Sequence, residues 1–240
     1  EVDAKLSGRR EPLRVLGDPL ALARPVQAEQ AEEDEIERGV EGEVEGEADL
    51  AHALVALADI DHKESSWDDS EAALAEAGAT FARLGDAKGQ AEVQRVRGFG
   101  ALLRFDYEGA IDLLEDARDR FDRLGDRRGV AWAQQNLAWC AFYLGRAEEA
   151  EQQLRTAAAT FEELGDTAGR GWAVGLLAWT RFQQGHSAEA GAMAEEVLDD
   201  IRERGDRWAI GMMLVLIGSV RLWTGRAVSA LPFLEEARDH

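Results

Sequence analysis

Seven tryptophans are the most distinctive side chains in this 240-residue sequence, and four of them keep a fixed spacing. Trp132 and Trp139 stand seven residues apart, and Trp172 and Trp179 repeat the pair forty residues later. Residues at i and i+7 share one face of a helix. The four rings therefore either form a wall on which an apolar partner can stack or fill the space between packed elements. Both readings fit the sequence, and aromatic enrichment at binding hot spots speaks for the wall. Catalytic groups are harder to assemble. His52, His62, His186 and His240 are scattered, and none has a partner at metal-ligand spacing. Asp59, Asp61 and His62 lie together at a predicted helix end, but neighbours on a helix point apart, so they read as a polar terminus. His186 falls in a turn and reads as a helix cap. Cys140 sits in an apolar stretch and reads as a small buried hydrophobe. No catalytic residue, cofactor or metal ligand is assigned.

The elements that must hold the tryptophans repeat on a forty-residue period. FARLGDAKG begins at Phe81, FDRLGDRRG at Phe121 and FEELGDTAG at Phe161, and IRERGDRWA follows at Ile201. In each, the glycine of LGD suits the left-handed residue that ends a helix, and the preceding Leu84, Leu124 and Leu164 can cover its last turn. The following Asp86, Asp126, Asp166 and Asp206 can cap the next helix. A phosphate-binding loop would need a GK[ST] element that is missing. A second marker, Ala110, Ala150, Ala190 and Ala230, follows a turn in each period, with Ser70 in the same place one period earlier. Two breaks per period over five periods predict five helix hairpins, and no proline interrupts Val26 to Leu231. Ala150, Leu154, Ala157 and Phe161 make an apolar stripe of helical period. One hairpin cannot bury both faces alone, whereas a stack can.

The first 46 residues carry three of the four prolines and keep no repeat phase. Glu29 to Asp49 holds eleven acids against one base, so residues 1–46 read as an acidic linker, mobile or partly helical. The first residue is Glu and no signal-peptide pattern follows, so the sequence reads as a cut piece. A formal charge of −21 argues against nucleic acid or an anionic membrane as the ligand. No apolar run is long enough to span a bilayer, and a lone cysteine fits a reducing cytoplasm.

The order Leu137-Ala138, Ala141, Gly145, Ala150, Leu154, Ala157 resembles the tetratricopeptide repeat. Leu177-Ala178, Gly185, Ala190 and Ala194 match one period later, and Ile217-Gly218, Gly225, Ala230, Leu234 and Ala237 match in the last unit. The resemblance implies an all-α solenoid over 47–240, a right-handed superhelix with units 47–86, 87–126, 127–166, 167–206 and 207–240. The period is longer than the family's usual ~34 residues, and the wording resembles repeat regions of bacterial multidomain regulators. In this family the first helix of each hairpin lines a concave groove. That rule places Phe99, Trp132, Gln135, Trp139, Phe142, Trp172, Trp179, Phe182 and Met212 on the groove. A clamp for a terminal carboxylate is not expected, because Arg95 and Asn136 are isolated among apolar positions. Arg127, Arg128, Arg170 and Arg207 read as solvated charges near helix starts. The function implied is non-enzymatic binding of a peptide, helix or neighbouring domain; the alternative is a sensor for a small molecule or signalling peptide. The last hairpin stops before its own LGD, predicting exposed apolar surface and self-association there, and Pro232 either delays or kinks its second helix.

Overall fold

The computed structural model describes residues 26–239. Contacts divide the chain into one unit that ends at Gly46 and a second from Glu47 to His240. Ten helices fill the described residues. They are α1 (Val26–Lys63), α2 (Trp67–Leu84), α3 (Ala87–Leu103), α4 (Tyr107–Arg123), α5 (Arg127–Tyr143), α6 (Ala147–Glu163), α7 (Thr167–Gln183), α8 (Ser187–Arg204), α9 (Arg207–Trp223) and α10 (Ala227–Arg238). In the first unit, the residues from Val26 onward are helical and carry most of the acidic run. The second unit is an all-α solenoid of five hairpins. Its odd-numbered helices form one layer, in which α3 touches α5, α5 touches α7 and α7 touches α9. None of the ten helices is long and apolar enough to cross a membrane.

The forty-residue motif is a joint between hairpins, in which the phenylalanine, the aspartate and the final glycine meet. Phe81, Phe121 and Phe161 are fully buried at the ends of α2, α4 and α6. Each ring lies against the glycine eight residues on, Gly89, Gly129 or Gly169, where an added Cβ would overlap it. The intervening aspartate turns the chain. Its N–H donates to the phenylalanine carbonyl at 2.8–2.9 Å. Its carboxylate accepts from the glycine N–H: 2.9 Å at Asp86, 3.0 Å at Asp126 and 2.8 Å at Asp166. Such caps satisfy donors that the helix start would leave orphaned. The fourth joint changes two letters together. Ile201 replaces the phenylalanine and Ala209 the glycine, so a smaller side chain faces the added methyl while Asp206 still caps at 3.1 Å.

Gly85, Gly125, Gly165 and Gly205 have the expected left-handed φ, 68–72°. The leucines before them do less than expected. Leu124 and Leu164 are exposed, because the following turn directs them away from the packed layers. The turn inside each hairpin also has one left-handed residue. Gly145, Gly185 and Gly225 fill that place in the later repeats, but Ser65 (φ 63°) and Phe105 (φ 65°) fill it in the first two. Proline 232 does not delay α10, which starts five residues before it at Ala227. On the last hairpin Trp223 (79% exposed), Val228 and Leu231 face solvent.

Candidate functional site

The first helices of the repeats enclose a cavity of about 500 Å³ on their inner side. Helix α5 supplies its floor. Trp132, Gln135, Asn136 and Trp139 all line the cavity, and their i, i+3, i+4, i+7 spacing puts them on one stripe. The Asp126 cap and the Gly129–Phe121 joint fix where that helix starts, and therefore where the stripe points. Phe99 enters from α3 and Trp172 from α7.

Tryptophans 132 and 172 serve the joints as well as the cavity. The Trp172 indole N–H donates to Asp206 at 3.1 Å, and Trp132, one period earlier, helps to hold the Asp166 carboxyl below its ordinary value. The half-buried Trp172 thus ties its own repeat to the cap of the next, and both rings line the cavity. Behind this wall stands Trp208, stacked on Trp139 at 5.6 Å between centroids and 5.1 Å from Trp172. Phe99 meets Trp208 edge-on at 6.4 Å, and the Lys63 ammonium lies 5.9 Å from the Trp172 ring. Helix α3 therefore meets α9 through its side chains, and the end of α1 meets α7. The inner layer curls until non-neighbouring repeats touch.

Polar groups at the cavity fall into two kinds. The charged ones are paired: Lys63 with Asp59 at 2.7 Å, Lys88 with Asp126 at 2.8 Å, and Arg128 with Asp166 at 2.6 Å. Arg95, mostly buried and 5.7 Å from the Trp132 ring, forks onto both oxygens of Glu92 at 2.6–3.1 Å. Burial disfavours its charge, but the Glu92 carboxylate outweighs that and holds the guanidinium protonated. The uncharged groups are not paired. Gln135 and Asn136 are each 2% exposed, as is Trp139. Gln135 Oε1, Asn136 Nδ2 and Trp139 Nε1 have no hydrogen-bond partner among the described residues. Buried polar atoms normally have one, and each that lacks it costs about 1–3 kcal/mol.

Residues 90–163 match the family model for the tetratricopeptide repeat. Over that stretch, from α3 to α6, the chain has the pattern of tetratricopeptide repeats. Solved structures agree with the fold over most of the chain. BtubC (BKLC) from P. vanneervenii is 21% identical, aligns over 91% of this chain and 90% of its own, and gives a TM-score of 0.61. A Rap protein complexed with Competence and Sporulation Factor is 17% identical over 80% of this chain and 64% of its own, with a TM-score of 0.61. A signal transduction ATPase with numerous domains, carrying a tetratricopeptide repeat sensor, from Pyrococcus horikoshii is 12% identical over 79% of this chain and 30% of its own, at 0.56. At these identities the likeness is one of fold. The comparison with curated proteins gave no match.

Of the nine groove positions expected from the repeat pattern, Phe99, Trp132, Gln135, Trp139 and Trp172 meet at the cavity. Phe142, Trp179, Phe182 and Met212 do not line it. They are half-buried rings and side chains packed on the core, with Trp179 edge-on to Phe182 at 6.2 Å. Asn136 lines the cavity although the pattern did not select it, and Trp208, also not selected, backs the wall through Trp139 and Trp172. Trp208 occupies the place of Arg128 and Ala168 in earlier repeats, both of which line the cavity, so carrying that rim position forward by one period would have found it. The arginines near helix starts are bridges between elements rather than free charges: Arg127 reaches Glu163, Arg170 reaches Glu196 at 2.8 Å, and Arg207 reaches the Asp239 carbonyl at 3.1 Å. His186 begins α8 without a side-chain cap. His62 is buried, with its ring on the Ser70 hydroxyl and against Gly100, and Cys140 is buried with its thiol pushed up to about 12. Among the described residues no three His, Cys, Asp or Glu side chains are grouped to hold a metal ion.

Proposed function

We propose that this chain is a non-enzymatic recognition module that receives an extended peptide segment in the cavity of its inner helix layer, as the regulatory region of a larger bacterial signalling protein. The observation that carries the reading is the cavity itself, walled by the aromatic side chains of Phe99, Trp132, Trp139 and Trp172 among polar neighbours. The complex of the structurally similar Rap protein with Competence and Sporulation Factor supports the same use of the fold.

A sensor for a small molecule is the second reading, favoured by a volume inside the ~300–1,000 Å³ range of small-ligand sites. A random peptide array probed with the wild-type chain and with Ala168→Trp tests the first. Ala168 lines the cavity from the first turn of α7, so an indole there fills it. Peptides captured by the wild type and lost to a folded Ala168→Trp support the reading. Equal capture by both chains sinks it.

A further inference from the structure

We infer that the cavity binds an organic carboxylate, with the acidic group held by Lys88 and Arg128 and the apolar part on the tryptophan wall. This rests on the cavity being the recognition site proposed above. Lys88 and Arg128 stand at the same place in successive repeats, in the first turns of α3 and α5, and both line the cavity. Their side chains are 65% and 63% exposed, whereas their partners, Asp126 and Asp166, are 13% and 8% exposed. In both pairs it is the cation that an incoming ligand reaches. Sharing it costs little, because ion pairs this exposed contribute little to stability. Each aspartate also accepts the N–H of Gly129 or Gly169, so the helix start stays capped. Arg128 reaches Asp166 through Nε, which leaves its terminal N–H fork for a ligand. The Lys88 ammonium has three donors for one contact with Asp126. The other acids of the wall are more fully engaged: Arg95 takes both Glu92 oxygens, and Lys63 bridges Asp59 at 2.7 Å.

The aromatic wall decides against a cation. The face of an indole attracts positive charge, but two of these rings already have it from the chain. Arg95 lies 5.7 Å from the Trp132 ring and Lys63 lies 5.9 Å from the Trp172 ring. An ammonium entering there would meet a charge of its own sign, whereas an anion is drawn by the same two groups. The next place in the column is Ala168, small and uncharged, so the cationic character belongs to α3 and α5 and the apolar part of the ligand lies toward α7. One negative charge suits the site better than two, because the whole chain carries −21 and opposes a phosphate monoester more strongly than a carboxylate. The carboxylate has two natural sources, an acidic side chain within a peptide or a free carboxylic acid with an apolar body.

Tryptophan fluorescence reports on the wall directly. The full chain would be titrated at neutral pH with an end-blocked leucyl-glutamyl-leucine tripeptide and with its glutaminyl and lysyl counterparts. A second set, 3-phenylpropanoate, its amide and phenyl phosphate, stands for the free acid. A saturable change with a carboxylate probe, at an affinity about tenfold above its neutral counterpart, is expected. The set with the tighter carboxylate assigns the source. Lys88→Gln/Arg128→Gln should bring the carboxylate down to the affinity of the neutral probe. Arg127→Gln/Arg155→Gln, which removes two exposed cations that do not line the cavity, should keep the preference. The ranking of probes on the unaltered chain stands whether or not either double variant folds. Equal or tighter binding of a neutral, lysyl or phosphate probe overturns the inference and leaves the cavity standing as a site. Equal loss of preference in two folded double variants overturns it as well, since the preference would then belong to the overall charge. No saturable change with either carboxylate also overturns it, and peptide capture sensitive to Ala168→Trp then decides separately whether the cavity is a site at all.

Discussion

The joints between hairpins and the cavity they enclose are built by opposite rules. At the joints the same contacts recur: phenylalanine on glycine, aspartate on the helix start, and a left-handed glycine before it. Where one partner changes, as at Ile201 and Ala209, the other changes with it. In the cavity Trp132 and Trp172 share a repeat position, but the residues between them change. The places of Gln135 and Asn136 are held by Arg95 and Val96 one repeat earlier and by Gly175 and Leu176 one repeat later. The aspartates of the joints cap the next helix, whereas three buried polar atoms of the α5 stripe have no partner. Repetition marks what holds the solenoid together, and departure from repetition marks what the solenoid presents.

The sharpest way to break this contrast is to force a joint. In Gly129→Ala the new methyl would overlap the fully buried Phe121 ring, and overpacking of this kind costs about 1–3 kcal/mol. Adding Phe121→Ile copies the fourth joint and should return at least half of that loss. Urea unfolding of the two single variants and the double, read as a thermodynamic cycle, measures it. A double variant no more stable than Gly129→Ala would show that the paired change at the fourth joint is not compensation.

A smaller effect separates a cap from a cavity atom. Asp126 is partly buried, which raises its carboxyl, but Lys88 and the Gly129 N–H outweigh that and hold it below the ordinary carboxylate range. Asp126→Ala should cost about 1–2 kcal/mol. A depressed carboxylate contributes its stability above the unfolded value near ~3.9. The difference from wild type should therefore shrink as the pH falls below that value, through the lower folded pKa. Gln135→Leu should act in the other direction and leave the chain as stable as wild type or up to about 1 kcal/mol more so, since it removes an unsatisfied acceptor. Destabilisation by Gln135→Leu as large as by Asp126→Ala would put Gln135 with the joints.

The two rules also explain how far the sequence could be read. Five hairpins, their boundaries and the aspartate caps follow from short-range regularities, because a cap and a helix period involve residues within a few positions. The α5 stripe was legible for the same reason. The second glycine of the motif was visible as a repeat, yet its reason lies in a ring from the preceding helix. Trp208 escaped because its contacts depend on how tightly the hairpins curl. A forty-residue period fixes that neighbours stack but not the angle between them, and only that angle brings Lys63 to Trp172 and Phe99 to Trp208. The same angle turns Trp179 and Phe182 onto the core.

Irregularities outside the cavity test whether departure from the repeat always marks function. His62 is one. Burial lowers its pKa against the pull of Asp59, Glu71 and Asp61 and with the help of Arg104. Stability that depends on a neutral His62 is complete above the unfolded value near ~6.5 and is lost as the pH falls from there to the lower folded pKa, by at most about 1.4 kcal/mol per pH unit. His62→Leu should remove that limb from a plot of unfolding free energy against pH, leaving the carboxylate limb at lower pH. An unchanged slope between neutral pH and the carboxylate range would mean that His62 does not titrate with unfolding.

Phe105 is the gentlest test. It holds a left-handed φ of 65° where the three later repeats have glycine, and its side chain lies mostly in solvent beside Tyr107, 6.4 Å away and edge-on. A Cβ in that conformation costs about 1–2 kcal/mol, and the exposed ring contact returns only a fraction of it. Phe105→Gly should therefore stabilise the chain by about 0.5–1 kcal/mol, seen as a small rise in the urea midpoint with an unchanged slope. A gain there, with peptide capture intact, makes Phe105 a tolerated flaw in a turn and keeps recognition with the α5 stripe. Loss of capture in a stabilised Phe105→Gly would instead extend the recognition surface to the turns, and the contrast between joint and cavity would have to be redrawn around every left-handed residue that is not glycine.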